Sequence, residues 1–463
     1  MNEISISHSP RIELVHPQKT RTSRANLWGW RIVTLCCLIW LSGFVIGFQR
    51  SVTLITTVGL IASLAGLARP TLGVYGIAIL CTLDALTRVF VMTGGIFRWN
   101  TVNYIMLMVI GLGFPVLIRR NDLTTRTLTV FFAFLAIELL MTKDMEAGVQ
   151  HLLAGVSYFG LLIYFVRGTH DLVTWHWIAL ISNTVAAFGG LLYFLQMDTL
   201  PEMNANAWAH FPLTALFSAC LASAVPSNIR WLKKIIWVLV IVNIVWVVLT
   251  GSRGGITIAS CCLLYMVSSI PGITRRVMFL TSATILGLIV ASQFSDRQDY
   301  VMHRIDKSVD GEHSLSSRTS GRSDLAIGGW RIFLKNPLFG VGTGGFAVAW
   351  KNLDDRVGMG TYAADRESEA HSGWVKTLAE GGLIGIALHI VFVLSPFLVG
   401  MRSRKKSIWQ LGLLVTFALA VAFLSTEFQG KGLWYLAAGA AVVMQQQRRK
   451  RSSNTEYFAA IIS

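Results

Sequence analysis

Apolar runs of roughly 20 residues, separated by short polar or basic stretches, recur along almost the whole chain. A helix needs about 20 apolar residues to cross a bilayer, and such runs lie at about 31–49, 52–68, 71–90, 101–118, 127–142, 149–166, 177–196, 212–226, 235–250, 256–273, 277–293, 372–400, 408–426 and 432–446. The alternating segments of about 10 residues that are typical of a membrane β-barrel do not occur. The sequence therefore predicts an all-α fold, a polytopic integral membrane helical bundle with about 12–14 transmembrane helices.

The composition supports the same class. Of the 463 residues, 53% are hydrophobic and only 14% are charged, and the mean hydropathy is +0.57. A soluble domain carries about 25% charged residues, so a water-soluble, disordered or disulfide-rich secreted chain is excluded. The six cysteines all lie inside apolar runs, where they behave as small hydrophobic residues.

The formal net charge of +16 predicts an orientation in the membrane rather than binding to nucleic acid. Lysine and arginine cluster in every second loop between apolar runs, at 119–126, 230–234, 275–276, 402–406 and 448–451. Basic loops of membrane proteins face the cytoplasm. We therefore expect both termini in the cytoplasm of a bacterial inner membrane, with the other set of loops in the periplasm.

This orientation predicts five regions. A basic cytoplasmic tail (1–30) is followed by an N-terminal transmembrane bundle (31–293). A large periplasmic loop containing short helices comes next (294–371), then a group of C-terminal transmembrane helices (372–446) and a second cytoplasmic tail (447–463). Within the periplasmic loop, Asp324–Asn336 has apolar residues at helical spacing and ends before Pro337.

Arg253 lies in the sequence Thr-Gly-Ser-Arg-Gly-Gly, between two apolar runs on the predicted periplasmic side. A guanidinium group can bind phosphate through two parallel hydrogen bonds, and the flanking glycines let the backbone approach a bulky ligand closely. Ser252 and Gly254 are expected to support this site. An arginine at this depth can also extend its side chain to lipid headgroups without any chemical role. The pattern alone leaves both interpretations open.

Arg318 and Arg322 lie in Ser-Ser-Arg-Thr-Ser-Gly-Arg, directly before the predicted helix of the periplasmic loop. Here too a phosphate site is one interpretation, and a solvated loop is the other.

His371 lies in Glu-Ala-His-Ser-Gly-Trp, where the polar loop gives way to a long apolar run. An imidazole can accept a proton from a sugar hydroxyl near neutral pH, although a polar residue at a helix start needs no chemical role. Glu380 follows nine residues later inside the apolar run, where a carboxylate needs a partner. Lys376 is the nearest candidate and would form a structural ion pair.

Two other patterns do not support a cofactor. Gly340-Val-Gly-Thr-Gly-Gly345 lacks the Gly-Lys-Ser/Thr ending of a nucleotide-binding loop and follows no buried strand, so we interpret it as a flexible turn. Asp354 and Asp355 have no second cluster of ligands nearby. We therefore expect neither a metal ion nor another cofactor.

The order of these patterns is more specific than any one of them. Ser-Arg-Gly-Gly at 252–255 is followed by Ser-Gly-Arg at 320–322, Asn-Pro-Leu-Phe-Gly-Val-Gly at 336–342, Ala-His-Ser at 370–372 and Glu-Gly-Gly-Leu-Ile-Gly at 380–385. Over about 250–385 the chain resembles the O-antigen ligase and O-antigen polymerase family of bacterial envelope enzymes. Ser372 departs from the pattern, since many members have asparagine after the histidine.

The resemblance implies a membrane glycosyltransferase of the GT-C type that works at the periplasmic face without a metal ion. Its donor would be a glycan on undecaprenyl pyrophosphate, and its acceptor a hydroxyl of another glycan or of the lipid A core. Arg253 and Arg322, with Arg318 beside them, would bind the pyrophosphate, and His371 would act on the acceptor hydroxyl. Direct attack on the anomeric carbon predicts inversion of configuration.

Three activities remain open at this point, beside a non-catalytic role as an assembly scaffold. A ligase and a repeat-unit polymerase of exopolysaccharide or O-antigen differ only in the acceptor. A transporter of lipid-linked sugar is the third, because Asp84 and Glu138 lie within predicted spans and could line a cavity.

Overall fold

The computed structural model describes residues 74–76, 78, 81–82, 123–149, 151–152, 165, 173–195, 205–226, 229–270, 272–274, 276–277, 281, 322–353, 370–403, 405–424, 433 and 435–446. All of them belong to one compact unit that begins at Ile55. Arg318, Asp84 and the predicted spans at 31–49, 52–68 and 101–118 lie outside the described residues.

The described residues form helices and no strand, in agreement with the predicted all-α class. The helices are α1 (Leu123–Glu138), α2 (Val173–Leu195), α3 (Ala205–Ser223), α4 (Arg230–Leu249), α5 (Arg253–Ser268), α6 (Arg322–Lys335), α7 (Phe346–Lys351), α8 (Gly373–Met401) and α9 (Lys406–Ala422). Residues 145–149 and 435–446 are also helical.

Within this part of the chain, α4 and α8 are long and apolar enough to cross a bilayer, and three shorter helical segments are apolar as well: Ala209–Ser223, Arg253–Ser268 and Lys406–Ala422. The exposed residues of α4 and α8 include large apolar side chains, which suits contact with lipid: Trp231, Val238, Val248, Ile390, Val391 and Leu394. The total of about 12–14 transmembrane helices stays a prediction.

Helices α2, α3 and α4 are held together by two buried asparagines. The Asn183 amide donates to the carbonyl oxygen of Ala215 on α3 (2.9 Å), and the Asn243 amide on α4 donates to Asn183 Oδ1 (3.0 Å). Such side chains bind helices together where water is excluded. Contacts farther along, between Gly189 and Phe211 and between Gly190 and Trp246, show that α3 runs antiparallel to α2 and that α4 runs parallel to it.

Helix α9 packs against both α5 and α8, antiparallel to each. Ser268, at the end of α5, is hydrogen-bonded to Gln410 near the start of α9. Gly412 of α9 lies against Gly400 near the end of α8. The start of α4, the end of α5, the end of α8 and the start of α9 therefore lie at one end of the bundle.

We call this the basic end, because its described residues include Arg230, Lys233, Lys234, Arg276, Arg402, Lys405 and Lys406. The sequence predicts that the basic loops share one side of the membrane, and the arrangement of these helices agrees with that prediction. The opposite end holds the end of α4 and the start of α5.

Helix α8, predicted as one span over 372–400, is broken at Gly382, whose backbone (φ 58°, ψ −152°) is not helical. The first part folds back against the second: the Trp374 ring stacks on His389 (4.5 Å between centroids), and the Thr377 hydroxyl is 2.9 Å from His389 Nδ1. His389 lies seven residues beyond the break, so α8 begins about 10 Å below Gly382.

Residues 337–342 bind the peptide groups that the break releases. The carbonyl oxygens of Pro337 and Leu338 accept from the N–H groups of 383 and 384, and the N–H groups of Val341 and Gly342 donate to the carbonyl oxygens of 379 and 380. The distances are 2.8, 3.4, 3.1 and 3.0 Å. Broken helices at a membrane depend on such partners, so the break and the preceding loop form one structure.

Helix α6, predicted over 324–336, packs one face on the first part of α8, with Gly329 against Val375 and Leu325 in a cluster with Ala370. Its other face is unexpectedly apolar, with Ile327, Trp330 and Leu334 exposed. This stripe continues through Leu338 to the exposed Leu383 and Ile384 of α8. A contiguous apolar surface is unusual for a loop surrounded by water, and it suits the border of a bilayer.

We predict that Gly382→Ala destabilises the protein through both the backbone and the new methyl group. A Cβ at this position lies 2.5 Å from the Leu338 carbonyl, and the backbone conformation is essentially restricted to glycine. Gly272→Ala is the matched control, because Gly272 also has a positive φ (85°) but open space around it. Thermal unfolding in detergent checks this: the first variant should lose about 3 kcal/mol or more, the control about 1–2. Equal losses would contradict the packing role of the break.

Candidate functional site

The start of α5 carries three of the predicted site residues. Ser252 is buried and caps the helix, since its Oγ accepts a hydrogen bond from the N–H of Gly255 (3.1 Å). Arg253 is the first helical residue and is exposed, and Gly254 follows it half-buried. The serine hydroxyl therefore stabilises the helix that presents the guanidinium.

The neighbouring glycine has a packing role. A Cβ on Gly255 would lie 2.8 Å from the Cβ of Ala209, so the small residue lets α5 lie directly against α3. Gly251, just before the cap, has φ 66° and reverses the chain from α4 into α5.

The start of α8 is fixed to the end of α9. The Ser372 hydroxyl donates to the carbonyl oxygen of Phe423 (3.0 Å) and accepts from the N–H of Val375 (3.5 Å). The N–H of Gly373 donates to the same carbonyl (2.8 Å). Ser372, noted in the sequence only as a departure from the family pattern, thus holds the residue before it in place.

His371 is the only non-glycine residue with a positive φ (48°) among those the structure describes, and its side chain is exposed. This backbone conformation is uncommon outside glycine, although asparagine, aspartate and histidine adopt it more often than other residues. Strained residues of this kind cluster at functional sites. The turn directs the chain from buried Ala370 into the capped start of α8.

The start of α6 carries Arg322, which is half-buried, with Asp324 buried in the same first turn. Because α6 runs alongside the first part of α8, from Leu325 near Ala370 to Leu338 near Gly382, its first residue lies toward the start of α8.

The structure thus brings the starts of α5, α6 and α8 to the end of the bundle opposite the basic end. Phe423, at the end of α9, shows that the starts of α8 and α5 lie at a similar height. Its carbonyl oxygen binds the start of α8, and α9 runs antiparallel to α5, so the end of α9 lies near the start of α5. Each helix start carries a partial positive charge, and each has a cationic or titratable residue at or next to it: Arg253, Arg322 or His371. This level lies about 10 Å below the Gly382 turn.

Glu380 lies at the other end of the first part of α8, beside the break. Its Oε1 accepts from the N–H of Phe346 (3.2 Å) and is 3.9 Å from the Lys376 ammonium. The ion pair with Lys376 that the sequence suggests is therefore present. The Lys376 ammonium also donates to His151 Nε2 (2.6 Å), a buried contact across 225 positions that no sequence pattern indicates.

The sequence predicts a flexible turn at the glycine-rich segment 340–345, and this prediction is wrong. The turn packs against other segments of the chain. Gly340, Gly342 and Gly344 all have positive φ, and each lies against the backbone of another segment: 379–380, 138–142 and 147–148 respectively. The hydroxyl of Thr343 between them donates to Glu138 Oε2 (3.1 Å). Glu138 is therefore buried against this turn.

A family model described as O-Antigen ligase matches residues 237–390. Over this segment the chain is similar to the O-antigen ligase family. The matched segment extends from α4 to the second part of α8 and contains every predicted site residue, including Arg318. The family comprises bacterial membrane enzymes of the glycosyltransferase kind. A search of the curated proteins finds no match to this chain.

We predict that Ser372→Ala lowers activity by displacing His371, whereas Ser372→Asn does not. Alanine loses the cap and the bond to Phe423, while asparagine is as good a helix cap as serine. The loss of the cap costs about 1 kcal/mol of stability, so both variants should fold. Glycan transfer by purified protein in liposomes checks this, and an asparagine variant as impaired as the alanine variant would contradict it.

Proposed function

We propose that this O-antigen ligase family protein transfers a glycan from an undecaprenyl-pyrophosphate donor to an acceptor hydroxyl at the periplasmic face. The single observation that carries the proposal is that the starts of α5, α6 and α8, with Arg253, Arg322 and His371, lie at the same end of the bundle, opposite the basic end.

The positive charge at this end suits the leaving group. When the glycosidic bond breaks, negative charge develops on the pyrophosphate oxygen. Two guanidinium groups and the partial charges of helix starts stabilise that charge without a metal ion. Arg318, outside the described residues, lies four positions before Arg322 and is proposed to assist.

His371 is proposed as the base. The acceptor hydroxyl attacks the anomeric carbon, the bond from that carbon to the pyrophosphate oxygen breaks, and the hydroxyl proton passes to the imidazole. Undecaprenyl pyrophosphate leaves with the bonding electron pair, and the sugar inverts its configuration. The exposed side chain of His371, on a backbone fixed by Ser372, supports this role.

The basic end supports the orientation. Basic residues face the cytoplasm in membrane proteins, so the opposite end, with the arginines and His371, is proposed to face the periplasm. A lipid-anchored pyrophosphate lies at the membrane border, the same depth that the apolar stripe of α6 indicates for this end.

The transporter alternative gains no support from the described residues. A broken helix is typical of transporters, where the released peptide groups bind substrate. Here the N–H and carbonyl groups at Gly382 are bound by residues 337–342, and Glu138 is bound by Thr343.

We predict that His371→Asn lowers kcat about 10²–10⁴-fold, the range for loss of a general base. Asparagine tolerates the left-handed backbone of this position, so the fold should persist. Arg253→Lys should lower kcat/KM about 10²–10³-fold, because lysine cannot form the paired hydrogen bonds. Arg230→Lys at the basic end is the matched control and should leave transfer unchanged.

The assay uses purified protein in liposomes with lipid-linked donor and acceptor. If His371→Asn and Arg253→Lys both keep full transfer while the protein is folded, the proposed site is wrong. If the lipid-linked donor moves to the other leaflet of the vesicle and no new glycosidic bond forms, the protein is a transporter.

Deletion of the gene separates the two acceptors. We expect a ligase mutant to lose long surface chains and accumulate lipid-linked polymer, because polymerisation continues without transfer. A polymerase mutant would instead display single repeat units. Gel analysis of envelope glycan measures both, and an unchanged profile would argue against either activity.

A further inference from the structure

A pocket of about 360 Å³ opens beside the Gly382 turn, away from the three helix starts. It lies between the end of α6, the glycine-rich turn, α7 and residues 141–143. Its first lining residue on α6, Ile332, lies ten residues along the helix from Arg322, a distance of about 15 Å. We call it the rim pocket. It lies beside the Gly382 turn, which is about 10 Å farther from the basic end than the start of α8.

The chemistry of the rim pocket suits an anion with hydroxyl groups. Two lysines and two asparagines line it, and none of its described lining residues is acidic: Lys143, Lys335, Asn336 and Asn352. Ammonium groups bind carboxylate or phosphate, and the amide groups of asparagine can both donate to and accept from hydroxyls.

The remaining lining suits the body of a sugar ring. Ile332, Val341 and Leu353 provide apolar surface against which C–H groups can pack. A volume of this size is typical of sites for small molecules.

The surrounding charge favours the same ligand. The segment 322–353 contains four basic residues and one acidic residue, Asp324, which lies at the far end of α6. Asp144, next to Lys143, accepts a hydrogen bond at its Oδ1 from the N–H of Ala147 (3.0 Å). Asp354 and Asp355, which follow the lining residue Leu353, lie outside the described residues.

From these observations we infer that the rim pocket binds an acidic sugar, one that bears a carboxylate or a phosphate group, within a glycan that reaches the site. This inference rests on the proposed function. Because Ile332 of the pocket lies about 15 Å along α6 from Arg322, the bound sugar would be a unit some distance along the glycan from the reacting bond. The pocket thus selects the glycan and takes no part in the chemistry.

The first test measures binding without turnover. Purified protein in neutral detergent is titrated with glucuronic acid, glucose 6-phosphate and glucose, and saturation-transfer NMR detects contact. We expect the two anionic sugars to bind at least tenfold more tightly than glucose. The double variant Lys143→Met with Lys335→Met should remove this preference, and Lys143→Arg with Lys335→Arg should restore it. Lys351→Met, a lysine on α7 outside the pocket lining, is the matched control.

The second test measures transfer with the native substrates. The double methionine variant should raise KM about tenfold for the glycan that carries the acidic sugar, with kcat and the KM of the other substrate within twofold. The substrate affected tells whether the sugar belongs to the donor or the acceptor. Equal affinity for glucose and glucuronic acid, or loss of kcat alone, would overturn the inference.

Two further outcomes separate the possible failures. If vesicles of phosphatidylglycerol displace glucuronic acid and neutral vesicles do not, the pocket is a lipid-headgroup site and the sugar inference is wrong. If His371→Asn retains transfer, the proposed function fails, while the binding results stand unchanged, because they require no turnover.

Discussion

The break of α8 at Gly382 is the constraint on which the rest of the site depends. Peptide groups released from a helix at a membrane need partners, and residues 337–342 supply four hydrogen bonds. Gly340 and Gly342 make this approach possible, because any Cβ there would meet the backbone of another segment. Residues 337–342 therefore bind α8 in one register. Because they follow α6 directly, this binding also fixes the position of the end of α6.

The break also determines the electrostatics. Since the first part of α8 folds back, its positively charged start lies within the molecule, level with the end of α9, instead of projecting into the loop region. The starts of α5 and α6 reach the same end. Positive charge consequently occurs at both ends of the bundle in different forms: solvated lysines and arginines at the basic end, and helix starts with Arg253 and Arg322 at the other.

Hydropathy predicted the helices well, because burial in lipid requires long apolar runs: 235–250 corresponds to α4, and the helical spacing at 324–336 corresponds to α6. The break was not predictable, since two glycines within an apolar run are compatible with a continuous helix. The contact of His151 with Lys376 joins residues 225 positions apart and has no local signature. The packing of segment 340–345 was missed for the same reason, because the backbones it touches are remote in sequence.

The left-handed backbone of His371 has an evolutionary consequence. Asparagine and aspartate share a tolerance for that conformation, and the codons of both differ from those of histidine by one base. One point mutation therefore leads from an imidazole to a side chain that tolerates the same backbone and cannot act as a base. Under the role proposed for His371, exchange at this single position would separate descendants that bind lipid-linked glycans from those that process them.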